Sequence, residues 1–328
     1  MKIIITGSAG YIGSCLYEYF KDFKQFKVLG IDKVYPKLKK QKLFKKVDLT
    51  SYSSAKKIFH KFGPDVVIHL AGESTIDNIK KIKNYLKNNI TVTKNLIKIV
   101  NKQNTGNFIF SSTAAVYANK ALNLIENSKL KPNNIYGVTK LKCEKYIQQN
   151  LNKEKKFIIL RFFNVCSSLF EHKIGEFHIP ETHFIPIVIQ KILDKKNIII
   201  YGRNYKTKDG SAIRDYVHVK DILRAILLSI NYLKSRVGTS QIINIGSKKG
   251  FSNIEIIKSL EKFFKKKVKF MFTQRRYGDL DKLVCDNRRA KKILNWKPNN
   301  SKLKLIIKDE FNWQNYLRHK KILKKSIY

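Results

Sequence analysis

The sequence predicts an α/β fold: a Rossmann-type doubly wound parallel sheet joined to a smaller mixed α/β lobe. Two patterns predict it. Short continuous apolar runs, as in parallel strands buried on both faces, alternate with segments of helical periodicity through the first half. The first run, Lys2-Ile3-Ile4-Ile5, passes straight into Thr6-Gly7-Ser8-Ala9-Gly10-Tyr11-Ile12-Gly13, a glycine triplet between a strand and a helix. Strands are expected at 2–5, 27–31, 45–47, 66–70, 107–111 and 157–162, and helices at 11–22, 53–62, 84–101 and 136–151. Beyond about residue 165 the pattern becomes irregular, with Pro180, Pro186, Gly202 and Gly210 marking loops, and 242–245 reads as a return to the main sheet. The expected division is a dinucleotide-binding domain over 1–165 with return segments at about 212–246, and a second lobe from 166–211 and 247–328 covering the carboxyl ends of the strands.

Composition narrows the class. The 328 residues, 43% hydrophobic, suffice for a sizeable core. No apolar run approaches the ~20 residues of a membrane span, and the chain opens directly in a strand, so no signal peptide is expected. The four cysteines, at 15, 143, 166 and 285, are scattered without a Cys-x-x-Cys pair, which favours a reducing cytoplasmic home. The net charge of +43 is extreme, but it is carried mostly by lysines spread along the whole chain, with no nucleic-acid motif beside them. It reads as a lysine habit on solvated faces, so nucleic acid is not an expected partner. Arg occurs at only ten positions, so where it is used its bidentate fork is expected to matter. The seven histidines show no metal-ligand spacing, and no metal is expected.

The glycines have separate tasks in the expected cofactor site. Gly7 permits the tight turn out of the strand, Gly10 lets backbone approach a pyrophosphate, and Gly13 lets the helix pack against the sheet. The helix N-terminus then faces phosphate with free N–H groups. Asp32 ends the next strand ~20 residues on, where a carboxylate accepts from a ribose 2′-hydroxyl and repels a 2′-phosphate, which favours NAD over NADP. Asp48 ends the third strand within reach of the adenine; alone, such a residue is a plain helix N-cap.

Tyr136-Gly137-Val138-Thr139-Lys140 and Ser111-Ser112-Thr113 carry the chemistry. A free tyrosine titrates near ~10. Bringing it to ~7 takes roughly 4 kcal/mol, which one cation ~4 Å away supplies at an effective dielectric of ~20. Lys140 follows Tyr136 by four residues, on the same helical face. Tyr136 and Lys140 are therefore expected catalytic residues, with Thr113 closing the serine-rich run that precedes them.

Taken together, these motifs resemble the extended short-chain dehydrogenase/reductase family, and within it the NAD-dependent epimerases of nucleotide sugars. His69-Leu70-Ala71-Gly72 falls in the family's order. So do Leu160-Arg161-Phe162-Phe163-Asn164, the run 201–210, Arg214-Asp215-Tyr216-Val217-His218 and Arg275-Arg276-Tyr277-Gly278-Asp279. The resemblance implies inversion at C4 of a UDP-hexose, interconverting UDP-glucose and UDP-galactose. Tyr136 would take the 4-hydroxyl proton, Thr113 would bond the same oxygen, and the transient 4-keto sugar would turn over in the site. It also implies NAD contacts at Tyr11, Ile12, Lys33, Leu49, Leu70, Ala71, Gly72, Asn88 and Phe163. Substrate contacts are implied at Asn164, His183, Phe184, Tyr201, Arg214, Arg276, Asp279 and Leu283. Arg214 and Arg276 would clamp the diphosphate, Asp279 would accept from the uridine ribose, and Leu283 would set the size of the sugar pocket. A homodimer through the helices near 84–101 and 136–151 is implied as well, although lysines crowd 80–98. Dehydratases of the family place acidic residues directly after the corresponding threonine; Ala114-Ala115 stand here and cannot act as acid and base. Where the family often has a lysine near the nicotinamide ribose, this chain has Glu73-Ser74. The alternatives are a 4-epimerase for UDP-N-acetylglucosamine or a UDP-pentose, and a non-catalytic basic binding protein on the same fold.

Overall fold

The computed structural model describes residues 1–74, 82–103, 106–118, 123–276, 279–320 and 322. The first half runs β1 (Lys2–Thr6), α1 (Tyr11–Phe20), β2 (Lys27–Asp32), β3 (Phe44–Lys46), α2 (Tyr52–Phe62), β4 (Val66–His69), α3 (Ile82–Tyr85), a π-helical turn (Leu86–Thr91), α4 (Val92–Asn101), β5 (Asn107–Thr113), α5 (Ile135–Asn150) and β6 (Phe157–Phe162). Short elements follow: β7 (Asn164–Cys166), β8 (Ser168–Leu169), β9 (Ile174–Gly175), α6 (Phe184–Leu193) and β10 (Ile198–Tyr201). The rest comprises β11 (Ile213–His218), α7 (Val219–Lys234), β12 (Gln241–Ile245), β13 (Gly250–Ser252), α8 (Asn253–Phe264), β14 (Phe270–Thr273), β15 (Lys282–Leu283), α9 (Arg288–Leu294) and α10 (Leu303–His319).

Seven strands form one parallel sheet in the order β12-β6-β5-β4-β1-β2-β3. The apolar runs behave as two-sided strands: Ile3 and Ile5 enter the core beneath α1 and α7, while Ile4, between them, enters the core beneath α2, α4 and α5. From β1 the chain runs outward through β2 to β3, then crosses back to β4 on the other side of β1. The resulting switch point opens a crevice at the carboxyl ends of the strands.

The second lobe is organised by β11. Its end pairs with β7, and its start lies between antiparallel β13 and parallel β15. A separate core of Ile185, Val188, Ile198, Ile256, Leu260 and Ile306 joins α6, α8, α10 and β10. Near its far end the chain returns to the core of the large sheet. Ala290, Leu294 and Trp296 lie in the core of the seven-stranded sheet, and Trp296 Nε1 donates to Asp221 O of α7 at 2.8 Å. A lone tryptophan in a charged stretch gives no signal of which core it joins.

The expected continuous helix at 84–101 is also interrupted. Its π turn carries Asn89 inward, where Oδ1 accepts the Glu73 N–H at 2.7 Å and Nδ2 donates to Thr139 Oγ1 at 2.9 Å. One extra residue per turn aims this amide at α5 and the 72–73 loop.

Helix α5 is fastened to the sheet by a buried charge pair. Arg161 of β6 donates through Nε to Glu144 Oε1 (3.0 Å) and through Nη2 to Oε2 (2.7 Å), the bidentate geometry expected of a sparingly used arginine. Its Nη1 donates to the Tyr117 hydroxyl (2.9 Å) and Glu126 O (2.8 Å), and Tyr117 donates to Asn244 Oδ1 on β12. Arg161→Met strips Glu144 of its counter-charge. It should cost about 3–5 kcal/mol in equilibrium urea unfolding; a loss below about 1 kcal/mol would show that the pair does not fasten the helix.

Candidate active site

The crevice is a cleft of about 500 Å³. Its floor is the glycine loop between β1 and α1. Gly7 takes φ +73°, and a Cβ there would press on the Leu70–Ala71 backbone. A Cβ on Gly13 would collide with the Gly7 carbonyl. Gly10 is the N-cap of α1 and carries no capping side chain, so the first N–H groups of the helix remain available to an anion. Asp32 projects from the end of β2, accepting the Ala9 N–H (3.0 Å) and the Val34 N–H (3.3 Å). Burial pushes its carboxyl upward against these hydrogen bonds. A glycine cradle that any Cβ would disturb, a bare helix N-terminus and a carboxylate one strand away fit a dinucleotide.

Every residue named above for the cofactor lines this cleft: Gly7, Gly10, Tyr11, Ile12 and Gly13; Asp32 and Lys33; Asp48 and Leu49; Leu70, Ala71 and Gly72; and Asn88, Thr113, Tyr136, Lys140 and Phe163. Asp48 is not the helix N-cap: Ser51 caps α2, and Asp48 accepts from Thr50 N–H at 2.9 Å. Glu73 and Ser74 also line the wall.

Thr113 ends β5, and Tyr136 and Lys140 lie on the first turns of α5, whose N-cap Asn134 accepts the Gly137 N–H. The Thr113 hydroxyl accepts the Ala115 N–H at 3.1 Å and also bonds Tyr136. Lys140 is 4% exposed; its Nζ donates to Ser111 O at 2.7 Å, 4.7 Å above the Phe110 ring and 6.0 Å from the Tyr136 ring centroid. Burial pushes this ammonium down to about 8. The tyrosine departs from its expected state. Burial pushes Tyr136 up to about 12, and the Thr113 bond only partly opposes that. The helix spacing puts Lys140 on the correct face, but its charge is directed at the Ser111 carbonyl. The polypeptide alone does not prepare the phenol.

The expected substrate residues fall into two groups. Asn164 and His183 line the cleft beside Tyr136 and Thr113, and Phe184 follows at the start of α6. Arg214, Asp279, Leu283, Tyr201 and Arg276 lie in the second lobe and do not line it. Arg214 Nη2 reaches Asp279 Oδ1 at 3.2 Å and Nη1 reaches Leu280 O at 2.7 Å. Asp279 also accepts from the Tyr205 hydroxyl. Leu283 is the strand partner of Arg214 and packs beside Phe163. Arg276 stacks on Tyr201, 4.0 Å from the ring centroid. Tyr277 and Gly278 lie outside the described residues.

The sequence reading missed two features. One is Asn89, which braces the 72–73 loop. The other is the strap between β9 and α6, where Glu176, His178, Glu181 and His183 bring their ligand atoms within 4.8 Å of one another. The expectation of no metal-ligand spacing considered the histidines alone and did not anticipate this cluster. Burial pushes both imidazoles down, but the facing carboxylates outweigh it and hold His178 up at about 9 and His183 at about 10. Beneath them, burial and the field of Glu176 drive Glu310 well above the usual carboxylate range.

The profile of the NAD dependent epimerase/dehydratase family matches residues 3–246. The chain belongs to that family. It is 34% identical over 326 residues to a UDP-glucose 4-epimerase of Lactobacillus helveticus, covering 95% of this chain and 97% of the relative. Among solved structures it is similar to the UDP-glucose-4-epimerase of Stenotrophomonas maltophila with bound NAD and formylated UDP-arabinopyranose: TM-score 0.91, 25% identity, 98% and 99% of the two chains covered. It is also similar to the Bifidobacterium longum UDP-glucose 4-epimerase in complex with NAD+ and UDP: TM-score 0.87, 26% identity, 96% and 98% covered. In this family member the glycine loop supplies a first test. Gly13→Ala should lower the NAD content of the purified protein by about tenfold, the effect of ~1.4 kcal/mol from a crowded loop, with an unchanged far-UV circular dichroism spectrum. Full retention of NAD would contradict the assigned cradle.

Proposed function

We infer that this chain is an NAD-dependent 4-epimerase that interconverts UDP-glucose and UDP-galactose. The observation that carries the reading is the meeting of Thr113, Tyr136 and Lys140 on one wall of a cleft whose floor is the glycine loop. Bound NAD supplies the hydride acceptor and donor for C4 of the sugar. Asp32 holds the adenosine ribose, and the α1 N-terminus faces the pyrophosphate. Tyr136 takes the 4-hydroxyl proton and returns it after the 4-keto sugar has presented its opposite face. Thr113 bonds the same oxygen and fixes the phenol. Bringing Tyr136 from about 12 to near neutrality requires roughly 7 kcal/mol. The Lys140 ammonium, charged below about 8, and the positive nicotinamide ring are the two cations within reach.

Asn164 and His183 border the sugar, and Arg214 and Arg276 take the diphosphate as Arg214 exchanges Asp279 for phosphate oxygens. Asp279 is then free for the uridine ribose. Leu283, half-buried beside Phe163, leaves room for a hexose and disfavours an N-acetyl group. The homodimer forms through α4 and α5. No helix among the described residues is long and apolar enough to cross a membrane, and the four buried free thiols suit a reducing cytoplasm.

Incubation with UDP-galactose and no added NAD should yield UDP-glucose. Tyr136→Phe should lower that rate by about 10²–10⁴-fold. No product even with added NAD would overturn the reading, and comparable turnover of UDP-N-acetylglucosamine would overturn the role of Leu283. Ionisation of Tyr136 gives activity an acid limb that rises with pH. Lys140→Met removes a cation that favours the phenolate, so the limb in kcat/KM should move to higher pH; an unmoved limb would assign the whole effect to the cofactor. Tyrosinate absorbance should show one phenol ionising well below ~10 in the NAD-bound protein, absent from the NAD-free protein and from Tyr136→Phe.

A further inference from the structure

The strap joining β9 to α6 carries a cluster of four ligand-bearing side chains, of which only His183 has been given a part in the proposed epimerisation. Glu176, His178, Glu181 and His183 come from eight consecutive residues, at spacings of two, three and two. The strap is anchored from behind by Trp313 of α10, whose indole donates to Glu176 O at 2.6 Å. His178 packs edge-on against Tyr11, 6.4 Å between ring centroids, so the cluster sits directly beside the glycine loop.

Two observations distinguish it from ordinary polar surface. The first is geometric. His178 Nδ1 lies 3.4 Å from Glu176 Oε1 and 3.7 Å from Glu181 Oε1, and His183 Nδ1 lies 3.5 Å from Glu181 Oε1 and in contact with Glu176 Oε1. A tetrahedron of ~2.0–2.1 Å bonds has edges of about 3.3–3.4 Å. The second is the setting of Glu176. It is fully buried, no backbone N–H or hydroxyl among the described residues donates to its carboxylate, and the His178 and His183 imidazoles are the groups that face it. A buried carboxylate is ordinarily hydrogen-bonded or coordinates a cation.

We propose that Glu176, His178, Glu181 and His183 form a binding site for one divalent transition-metal ion, zinc first among them. Two imidazoles and two carboxylates are a nitrogen–oxygen set suited to zinc, whereas magnesium and calcium favour all-oxygen shells. Two carboxylates balance the charge of the ion when both imidazoles are neutral. Four protein ligands leave no open position, which makes the site structural. The ion pins the strap, and with it His183, against the cleft wall.

The test uses the full-length, tag-free protein purified without chelators, dialysed against zinc or cobalt(II) chloride and then against metal-free buffer. The expected result is one metal ion per chain by elemental analysis, with the visible absorption of four-coordinate cobalt(II). His178→Ala and Glu181→Gln should each lower retained metal by about tenfold or more with an unchanged far-UV spectrum. Should either variant fail to fold, the wild type decides: a chelator should lower its Tm and zinc should restore it. Wild-type protein that retains no metal and shows no Tm change, or variants that retain as much as wild type, would overturn the proposal and leave two protonated imidazoles paired with the carboxylates. None of these readouts depends on turnover, so the epimerase reading stands or falls separately.

Discussion

Where α5 meets the sheet, the guanidinium of Arg161 grips both oxygens of Glu144, and the geometry of the cleft wall that carries Tyr136 and Lys140 depends on that grip. Tyr136, Lys140 and Glu144 follow one another at intervals of four along α5, so they share one stripe of the helix. Glu144 is the member held by the sheet, and it fixes the rotation and height of the other two. It also receives the Ser112 hydroxyl, which sets the strand end carrying Thr113. One buried pair therefore positions a phenol, an ammonium and a hydroxyl that arrive from two different elements. Such pairs add little net stability in themselves. Removal of either partner, however, would leave the other charge buried and alone beside the cleft.

The second constraint is electrostatic. Burial acts in opposite directions on the two titrating groups, raising Tyr136 to about 12 and lowering Lys140 to about 8. Both shifts favour neutral forms. The low dielectric that destabilises a phenolate also strengthens any positive charge brought near it. The chain thus holds Tyr136 protonated while making it responsive to a cation, which a bound nicotinamide ring would supply under the proposed function. Under the proposed function, ionisation of Tyr136 would then follow occupancy of the dinucleotide site.

What could be read from the sequence was whatever a local pattern encodes. The glycine loop, the two-sided strands, Asp32 at a strand end and the Tyr136–Lys140 spacing are each set within a few residues, and all lie on the cleft. Features decided by tertiary contact were not legible. The π turn at 86–91 exists because Asn89 is drawn toward Glu73 and Thr139, about 15 and 50 residues away in sequence. Helical spacing fixed the face on which Lys140 lies, but not that its amine would bond Ser111 O. Trp296 joined the core of the large sheet because α7 offered a carbonyl to its indole. The strap cluster escaped notice because its ligands alternate glutamate and histidine, a pattern no histidine-only spacing rule detects.

The strap also bears on how the two lobes act together. The hydroxyl of Tyr11, in the glycine loop, donates to Ser167 O at 2.6 Å, at the entry to the second lobe, while its ring meets His178. The residue that follows Gly10 is thus clasped from both sides by the lobe that faces the substrate. His178 and His183 border the same cleft that Gly7 and Gly10 floor. A displacement of the strap would part the His178 ring from Tyr11, while the Tyr11 hydroxyl would stay tied to Ser167 O outside the strap. The glycine loop and the wall that carries His178 and His183 therefore meet through Tyr11.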